Sequence, residues 1–101
     1  MRFLLKITFP VETANRAIKD GTFEKKLQRI MAGLRPEAVY FAAENGKRTG
    51  FLIVNMQETS QMPAIAEPFY LGFNADVEFH PVMIPEDLAK GNLASLGKKW
   101  A

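Results

Sequence analysis

The stretch EAVYFAAENGKRTGFLIVNM, residues 37–56, decides the fold. Asn45-Gly46 is the strongest short-range signal for a two-residue hairpin turn, because both turn positions need a positive φ. The flanking residues are rich in aromatic and β-branched side chains, which favour strands. A two-residue turn pairs Glu44 with Lys47, whereas a loop of three to five residues would change this register.

Side chains alternate between the two faces of a strand, so the turn also assigns each residue to a face. The first face of the hairpin carries Val39, Phe41, Leu52, Val54 and Met56. The second, which we term the open face, carries Tyr40, Ala42, Thr49, Phe51, Ile53 and Asn55. Both faces are largely apolar, and both therefore need cover.

The segment before the hairpin predicts one strand and two helices. Arg2 to Phe9 alternates strictly between apolar and other residues, which is typical of a strand, and Pro10 stops it. Val11 to Leu34 has helical spacing in two pieces separated at Asp20-Gly21. Thr22 can cap the second piece.

The segment after the hairpin predicts a third helix, capped by Thr59 or Ser60, with a kink or a restart at Pro68. Asn74 to Ile84 alternates again and predicts a strand. Pro81 lies inside this strand and therefore indicates an edge position. A last helix runs from Pro85 to about Leu96, loosened by Gly91.

The resulting order is β-α-β-β-α-β plus a C-terminal helix, in one domain spanning residues 1–101. This order indicates an α+β, ferredoxin-like fold with a four-stranded antiparallel sheet. The usual strand order, 4-1-3-2, places the fourth strand at an edge, where Pro81 is tolerated. The two amphipathic helices should cover the first face, which collects Phe3, Leu5, Ile7, Val39, Phe41, Leu52, Val54, Val77 and Phe79.

The composition excludes several function classes. The chain of 101 residues has no cysteine, which excludes disulfides and thiolate metal sites, and its net charge is only +2. No segment has the pattern of a signal peptide or of a membrane span, so we expect a cytoplasmic protein without a membrane partner. We find no glycine-rich phosphate loop and no metal-spaced cluster, so we predict neither a cofactor nor a metal.

Nucleic-acid binding is also not expected. RNA-recognition domains share the element order, and residues 47–54 superficially resemble their third-strand motif. However, Arg48 stands where that motif needs glycine, and Thr49 and Val54 stand where it needs stacking aromatic rings. The basic residues are scattered along the chain, and their charge does not replace aromatic rings on which bases could stack.

The open face carries the candidate functional residues. Aromatic rings among convergent ionisable groups are typical of a small-molecule site. The candidate catalytic residues are His80, Glu78, Tyr40 and Lys6, and the candidate substrate-binding residues are Asn55 and Phe51. Each has a structural alternative as a surface, packing or interface residue.

The element order, the length and the ending Glu78-Phe79-His80-Pro81-Val82-Met83, followed by Pro85-Glu86-Asp87-Leu88, resemble the dimeric α/β-barrel superfamily. The chain is most similar to small uncharacterised bacterial members, distantly akin to muconolactone isomerases and cofactor-free monooxygenases. The resemblance implies two sheets that face each other, with a pocket between sheet and helices or at the interface. It carries no catalytic residue across.

Two functions remain open. The first is a cofactor-independent isomerase or oxygenase acting on a small organic molecule, in which His80, helped by Glu78, moves a proton. The second is a non-catalytic dimeric module, for ligand binding or structure, in which the same residues form an interface network. In both, we expect a homodimer through the open face, because Leu4, Tyr40, Phe51 and Ile53 would otherwise form an exposed apolar patch.

Overall fold

The computed structural model describes residues 1–101 and has the predicted order of elements. The elements are β1 (Arg2–Thr8), α1 (Val11–Lys19), α2 (Phe23–Leu34), β2 (Ala38–Glu44), β3 (Lys47–Asn55), a 3₁₀ turn (Thr59–Gln61), α3 (Met62–Phe73), β4 (Asp76–Pro81), α4 (Pro85–Lys90) and α5 (Leu93–Lys99). The four strands form one antiparallel sheet in the order β2-β3-β1-β4. The α+β, ferredoxin-like prediction is confirmed, with β4 at an edge.

The hairpin has the two-residue turn that the sequence predicts. Glu44 pairs with Lys47 across it, and Asn45 and Gly46 have φ angles of 53° and 75°. A positive φ at both positions is what a type I′ turn requires. The assignment of side chains to the two faces of the sheet is therefore confirmed.

The core lies between the first face of the sheet and the helices. Leu5 and Ile7 of β1 are fully buried, as is Phe69 of α3. Three aromatic rings close one end of this core, with centroids 5.0–5.3 Å apart, namely Phe9, Phe23 and Phe73. Tilted and edge-to-face rings at such separations add to the stabilisation that comes from burial.

Two predicted helix caps differ from the structure. Thr22 occupies the N-cap position of α2, but its hydroxyl donates a 2.6 Å hydrogen bond to Asp20 instead of capping the helix. Before α3, the side-chain oxygen of Gln61 accepts hydrogen bonds from the backbone N–H groups of Gln57 and Glu58. Neither Thr59 nor Ser60 caps that helix, because both lie inside the preceding 3₁₀ turn and Gln61 occupies the N-cap position of α3.

Two helix interiors also differ from expectation. Pro68 lies inside the continuous helix α3, so the predicted restart does not occur. The C-terminal helix is instead divided in two, because Asn92 adopts a left-handed conformation with φ of 54°. This residue ends the helical path after α4 and starts a new direction at α5.

Strand β2 is covered less than predicted. Phe41 points to the same face as the core, yet 57% of it is exposed. Its ring approaches Gly50 so closely that a Cβ atom there would lie 3.3 Å from it. The helices cover the centre of the sheet and reach Val39 of β2, but they leave residues 40–43 of this outer strand exposed.

The C-terminal segment extends away from the sheet and helices. No residue of α4 or α5 is buried. The radius of gyration is 17.0 Å, and the longest dimension is 59 Å. A compact chain of this length has a radius of gyration of about 13 Å. We term residues 83–101 the C-terminal arm. None of the helices, in the arm or elsewhere, combines the length and the apolar character needed to cross a membrane.

Candidate functional site

The strand register aligns four of the six candidate residues in one row across the open face. Phe51 lies opposite Tyr40 on one side and opposite Lys6 on the other. Lys6 in turn lies opposite Glu78. The row therefore runs Tyr40, Phe51, Lys6, Glu78 through all four strands, and side chains so paired are direct neighbours.

His80 occupies the adjacent row of the same face. It lies two residues after Glu78 on β4 and opposite Leu4 on β1. Leu4 is in turn opposite Ile53 on β3. The second row is therefore apolar except at His80, and it places an imidazole beside the Glu78 carboxylate.

A chain of short contacts between polar side chains connects the two rows. Lys6 Nζ lies 2.5 Å from Glu44 Oε1 and 3.9 Å from Glu78 Oε2. The other oxygen of Glu78, Oε1, lies 3.6 Å from His80 Nε2. One lysine therefore lies between two carboxylates, and one of these carboxylates also faces the histidine.

The two carboxylates keep Lys6 protonated. The hydrogen bond from Lys6 to Glu44 raises the pKa of Lys6 above the ordinary value of 10.5, and the charges of Glu44 and Glu78 add to this effect. Partial desolvation acts in the opposite direction but is outweighed. At neutral pH Lys6 is thus a cation that can stabilise negative charge, and it cannot serve as a general base.

The Lys6–Glu44 ion pair crosses strand β3. Lys6 belongs to β1 and Glu44 to β2, while Thr49 lies on β3 between their positions in the register. Thr49 is the one buried polar side chain, at 1% exposure, and its hydroxyl donates a 3.1 Å hydrogen bond to the backbone oxygen of Lys47. The ion pair therefore passes across the position of Thr49 on the open face.

Glu44 belongs to the cluster but is not among the candidates predicted from the sequence. The alternation of side chains along β2 does place Glu44 on the same face as Tyr40. The hairpin register pairs Glu44 with Lys47, directly opposite, and therefore predicts Lys47 rather than Lys6 as its ionic partner. Contact with Lys6 requires reaching over an entire strand, which only the twist and spacing of the folded sheet determine.

Asn55 lies apart from the cluster. Its side-chain oxygen accepts a 2.9 Å hydrogen bond from the amino group of Met1. It lies opposite Arg2, two rows away from the row of Phe51 and Lys6. The structure thus brings together His80, Glu78, Lys6, Phe51 and Tyr40, but not Asn55.

The exposure of the open face separates its apolar centre from its polar margin. Leu4, Phe51 and Ile53 are only partly buried, and Tyr40 is 68% exposed. The side chains of Glu78 and His80 are each 51% exposed. In the single chain no helix covers this face, so the cluster forms a shallow surface rather than a closed pocket.

Two cavities lie elsewhere, on or near the helix side of the sheet. One, of about 780 Å³, lies between α2 and α3, with Ile30, Leu34 and Ile65 in its lining. The second, of about 480 Å³, lies beside β2, and we term it the β2 groove. Its apolar lining includes Phe9, Ile18, Phe23, Leu27 and Phe41.

The donor groups of the chain form no metal site. No group of three or more His, Asp or Glu side chains is arranged to hold a metal ion. Glu78 and His80 are close to each other, but their other neighbour is the ammonium group of Lys6. The chemistry that this cluster can support is proton transfer and charge stabilisation.

Comparison with known proteins identifies one similarity. Residues 1–95 match a protein family described as "Domain of unknown function (DUF3303)". The match spans the sheet, the three main helices and most of the C-terminal arm. No curated protein matches the sequence.

Proposed function

The chain belongs to the DUF3303 family of domains of unknown function, and we propose that it is a cytoplasmic homodimer that performs proton transfer on a small, partly apolar organic molecule. The two open faces meet in this dimer, as in a dimeric α/β barrel, and the molecule lies between them. The observation that carries the proposal is the chain of contacts from Lys6 through Glu78 to His80, beside apolar side chains that are only partly buried.

The arrangement supports a defined sequence of proton movements. A neutral His80 takes a proton from a carbon next to a carbonyl group, and Glu78, 3.6 Å from Nε2, stabilises the imidazolium that forms. The substrate is left as an enolate, and the cationic Lys6 stabilises its negative oxygen. Where the enolate is conjugated with a C=C bond of the substrate, return of the proton to the far carbon of that bond shifts the double bond and gives an isomer, whereas addition of O₂ to the enolate carbon would give a peroxide.

The apolar residues of the open face support the dimer and the substrate class. Phe51 and Ile53 are only half-buried, and Tyr40 is exposed, at the centre of a sheet face that no helix covers. Contact with a second copy removes this surface from water and strengthens electrostatic interactions in the enclosed cluster. Phe51, beside Lys6, would contact the apolar part of the molecule.

The test is deuterium exchange at carbon, followed by NMR in D₂O, with phenylpyruvate and acetylacetone as enolisable probes. The wild-type dimer should accelerate exchange of the protons next to the carbonyl groups. His80→Asn should reduce the catalysed rate by about 10²-fold or more, the usual contribution of a positioned acid–base group. Glu78→Gln should reduce it less, and Asp76→Asn, on the same strand and face, is the matched control.

A second function, an interface network without catalysis, is favoured by one observation. Lys6 is already bound by two carboxylates, so its charge is compensated before any ligand arrives. In that case the cluster fixes the orientation of two copies. Equal exchange rates with wild type, His80→Asn and no protein would support this second function and reject the first.

A further inference from the structure

Besides the open face, the C-terminal arm and strand β2 are parts of the chain that lack cover. From them we propose that the arm of each copy docks along β2 of the other copy, with its apolar side chains in the β2 groove. This inference rests on the homodimer proposed above. It adds a second interface, on the helix side of the partner's sheet edge.

The arm has the surface of an element that docks. Five large apolar side chains project from it, with exposures between 45% and 76%, namely Met83, Leu88, Leu93, Leu96 and Trp100. In and just after α5, Leu93, Leu96 and Trp100 recur at intervals of three and four residues and so lie on one face. The opposite face carries the polar residues Ser95 and Lys98.

The helices of the arm are too short to be stable alone. The helix α4 has six residues and α5 has seven, and neither buries a residue. Isolated helices shorter than about 12 residues are marginal in water, and most helical stability in proteins comes from packing of an apolar face. The arm therefore requires a surface that its own chain does not supply.

Strand β2 offers an uncovered surface of the kind that the arm requires. It is an edge strand with one unpaired side, and both of its faces are open, since Tyr40 is 68% and Phe41 57% exposed. It contains no proline that would discourage another chain from pairing. Long apolar edges of this kind are usually covered in native proteins. The β2 groove beneath the edge is lined mainly by apolar residues.

The position of the arm favours a partner's β2 over its own. The arm leaves the sheet after β4, and the order β2-β3-β1-β4 puts β2 at the opposite edge, about 14 Å away. In its own chain the arm extends outward rather than back over the sheet. If two open faces meet about a two-fold axis parallel to the strands, β4 of one copy lies beside β2 of the other.

The sizes of the two surfaces also agree. The six residues of α4 and the seven of α5 span about 9 Å and about 11 Å as two separate helices, so each fits within the roughly 23 Å of the seven residues of β2. The accessible surface of the chain is 7260 Å², whereas a compact monomer of 11.3 kDa exposes about 5700 Å². The excess is larger than the roughly 800 Å² per partner of a standard interface.

The experiment uses the absence of cysteine from the full chain. A nitroxide spin label is attached to Ser95→Cys, on the polar face of α5, in unlabelled protein. This protein is mixed with ¹⁵N-labelled wild type, so that any broadening of amide signals is intermolecular. We expect broadening at Phe41, Ala42 and Ala43 of β2 and at Ile18 and Leu27 beside the groove.

Broadening confined to β1 and β4, or no broadening in a sample that light scattering finds dimeric, would overturn the inference and leave the dimer of the proposed function intact. A monomer in light scattering would reject both. As a second measurement, the double substitution Leu96→Ser with Trp100→Ser should weaken the dimer at least about tenfold. Lys90→Ser with Lys98→Ser is the matched control, and equal dimer stability in both double variants would contradict the proposed contact.

Discussion

At the scale of single residues, Lys6 is the centre of the open face. Its ammonium group lies between Glu44 and Glu78, and the hydrogen bond to Glu44 is the largest cause of its raised pKa. A raised lysine pKa means that protonation favours the folded state. The stabilisation by this ion pair is therefore fully present below about pH 10.5, and it is lost as the pH rises through the pKa of the folded protein.

We predict that Glu44→Gln returns the pKa of Lys6 toward 10.5, because the substitution replaces the carboxylate hydrogen-bond acceptor with a neutral amide and also removes its charge. Glu78→Gln should lower the pKa of Lys6 by less, since its carboxylate lies 3.9 Å away. An alkaline NMR titration of the Lys6 side-chain signals measures both changes. Glu67→Gln, on helix α3, is the control, and an equal shift in all three variants would contradict this account.

The surroundings of Lys6 also explain why the cluster needs a partner chain to act as a site. Lys6 is bound, but the side chains of Glu78 and His80 are half exposed, and water screens their interaction. Enclosure by a partner would strengthen it. The single chain thus provides the groups for proton transfer, and a second chain must provide the enclosed environment with less water.

At the scale of elements, β3 determines how the sheet packs. Its residues Leu52 and Val54 are buried against the helices, while Phe51 and Ile53 point to the open face. Gly50 leaves room for the Phe41 ring of β2. One strand therefore contributes both to the hydrophobic core and to the candidate site, so a shift of its register by one residue would exchange these roles.

We predict that Leu52→Ala lowers the free energy of unfolding by about 2–5 kcal/mol, because it removes a fully buried side chain and leaves a cavity. The same substitution at Leu71, which is 82% exposed on α3, should change it by less than about 0.5 kcal/mol. Urea denaturation followed by circular dichroism measures both. Similar losses at the two positions would mean that the sheet face is assigned incorrectly.

The two edge strands are protected in different ways. Pro81 closes β4, since a proline cannot donate to a neighbouring strand. No such residue closes β2, whose seven residues include four exposed ones in succession, Tyr40 to Ala43. The proposed docking of the partner's arm gives this edge its cover.

At the scale of the whole molecule, the elongated shape is the main feature. The single chain leaves the open face, the β2 groove and the C-terminal arm in contact with water at the same time. Burial of apolar surface is the dominant favourable contribution to folding and association. Two contacts between copies, one between open faces and one by exchanged arms, would remove all three surfaces.

We predict that Ile53→Lys dissociates the dimer, because Ile53 lies at the centre of the open face. An unpaired charge in the contact costs about 3–5 kcal/mol, which weakens the dimer by about a hundredfold or more. Light scattering at micromolar concentration measures the change. Leu71→Lys, at an exposed position of α3, should leave the dimer intact, and a wild-type monomer at this concentration would contradict the prediction.

Local sequence patterns are sufficient to predict the ferredoxin-like order of elements, the hairpin register and the face of the sheet on which each candidate residue lies. These features depend on neighbours in the chain, such as the positive φ of Asn45 and Gly46 and the alternation along β1. The tertiary structure alone decided that Lys6 reaches Glu44 across β3, that Phe41 is left bare and that the arm extends from the body. These features depend on the twist of the sheet and on which strands the helices cover, and both arise from contacts between residues far apart in sequence.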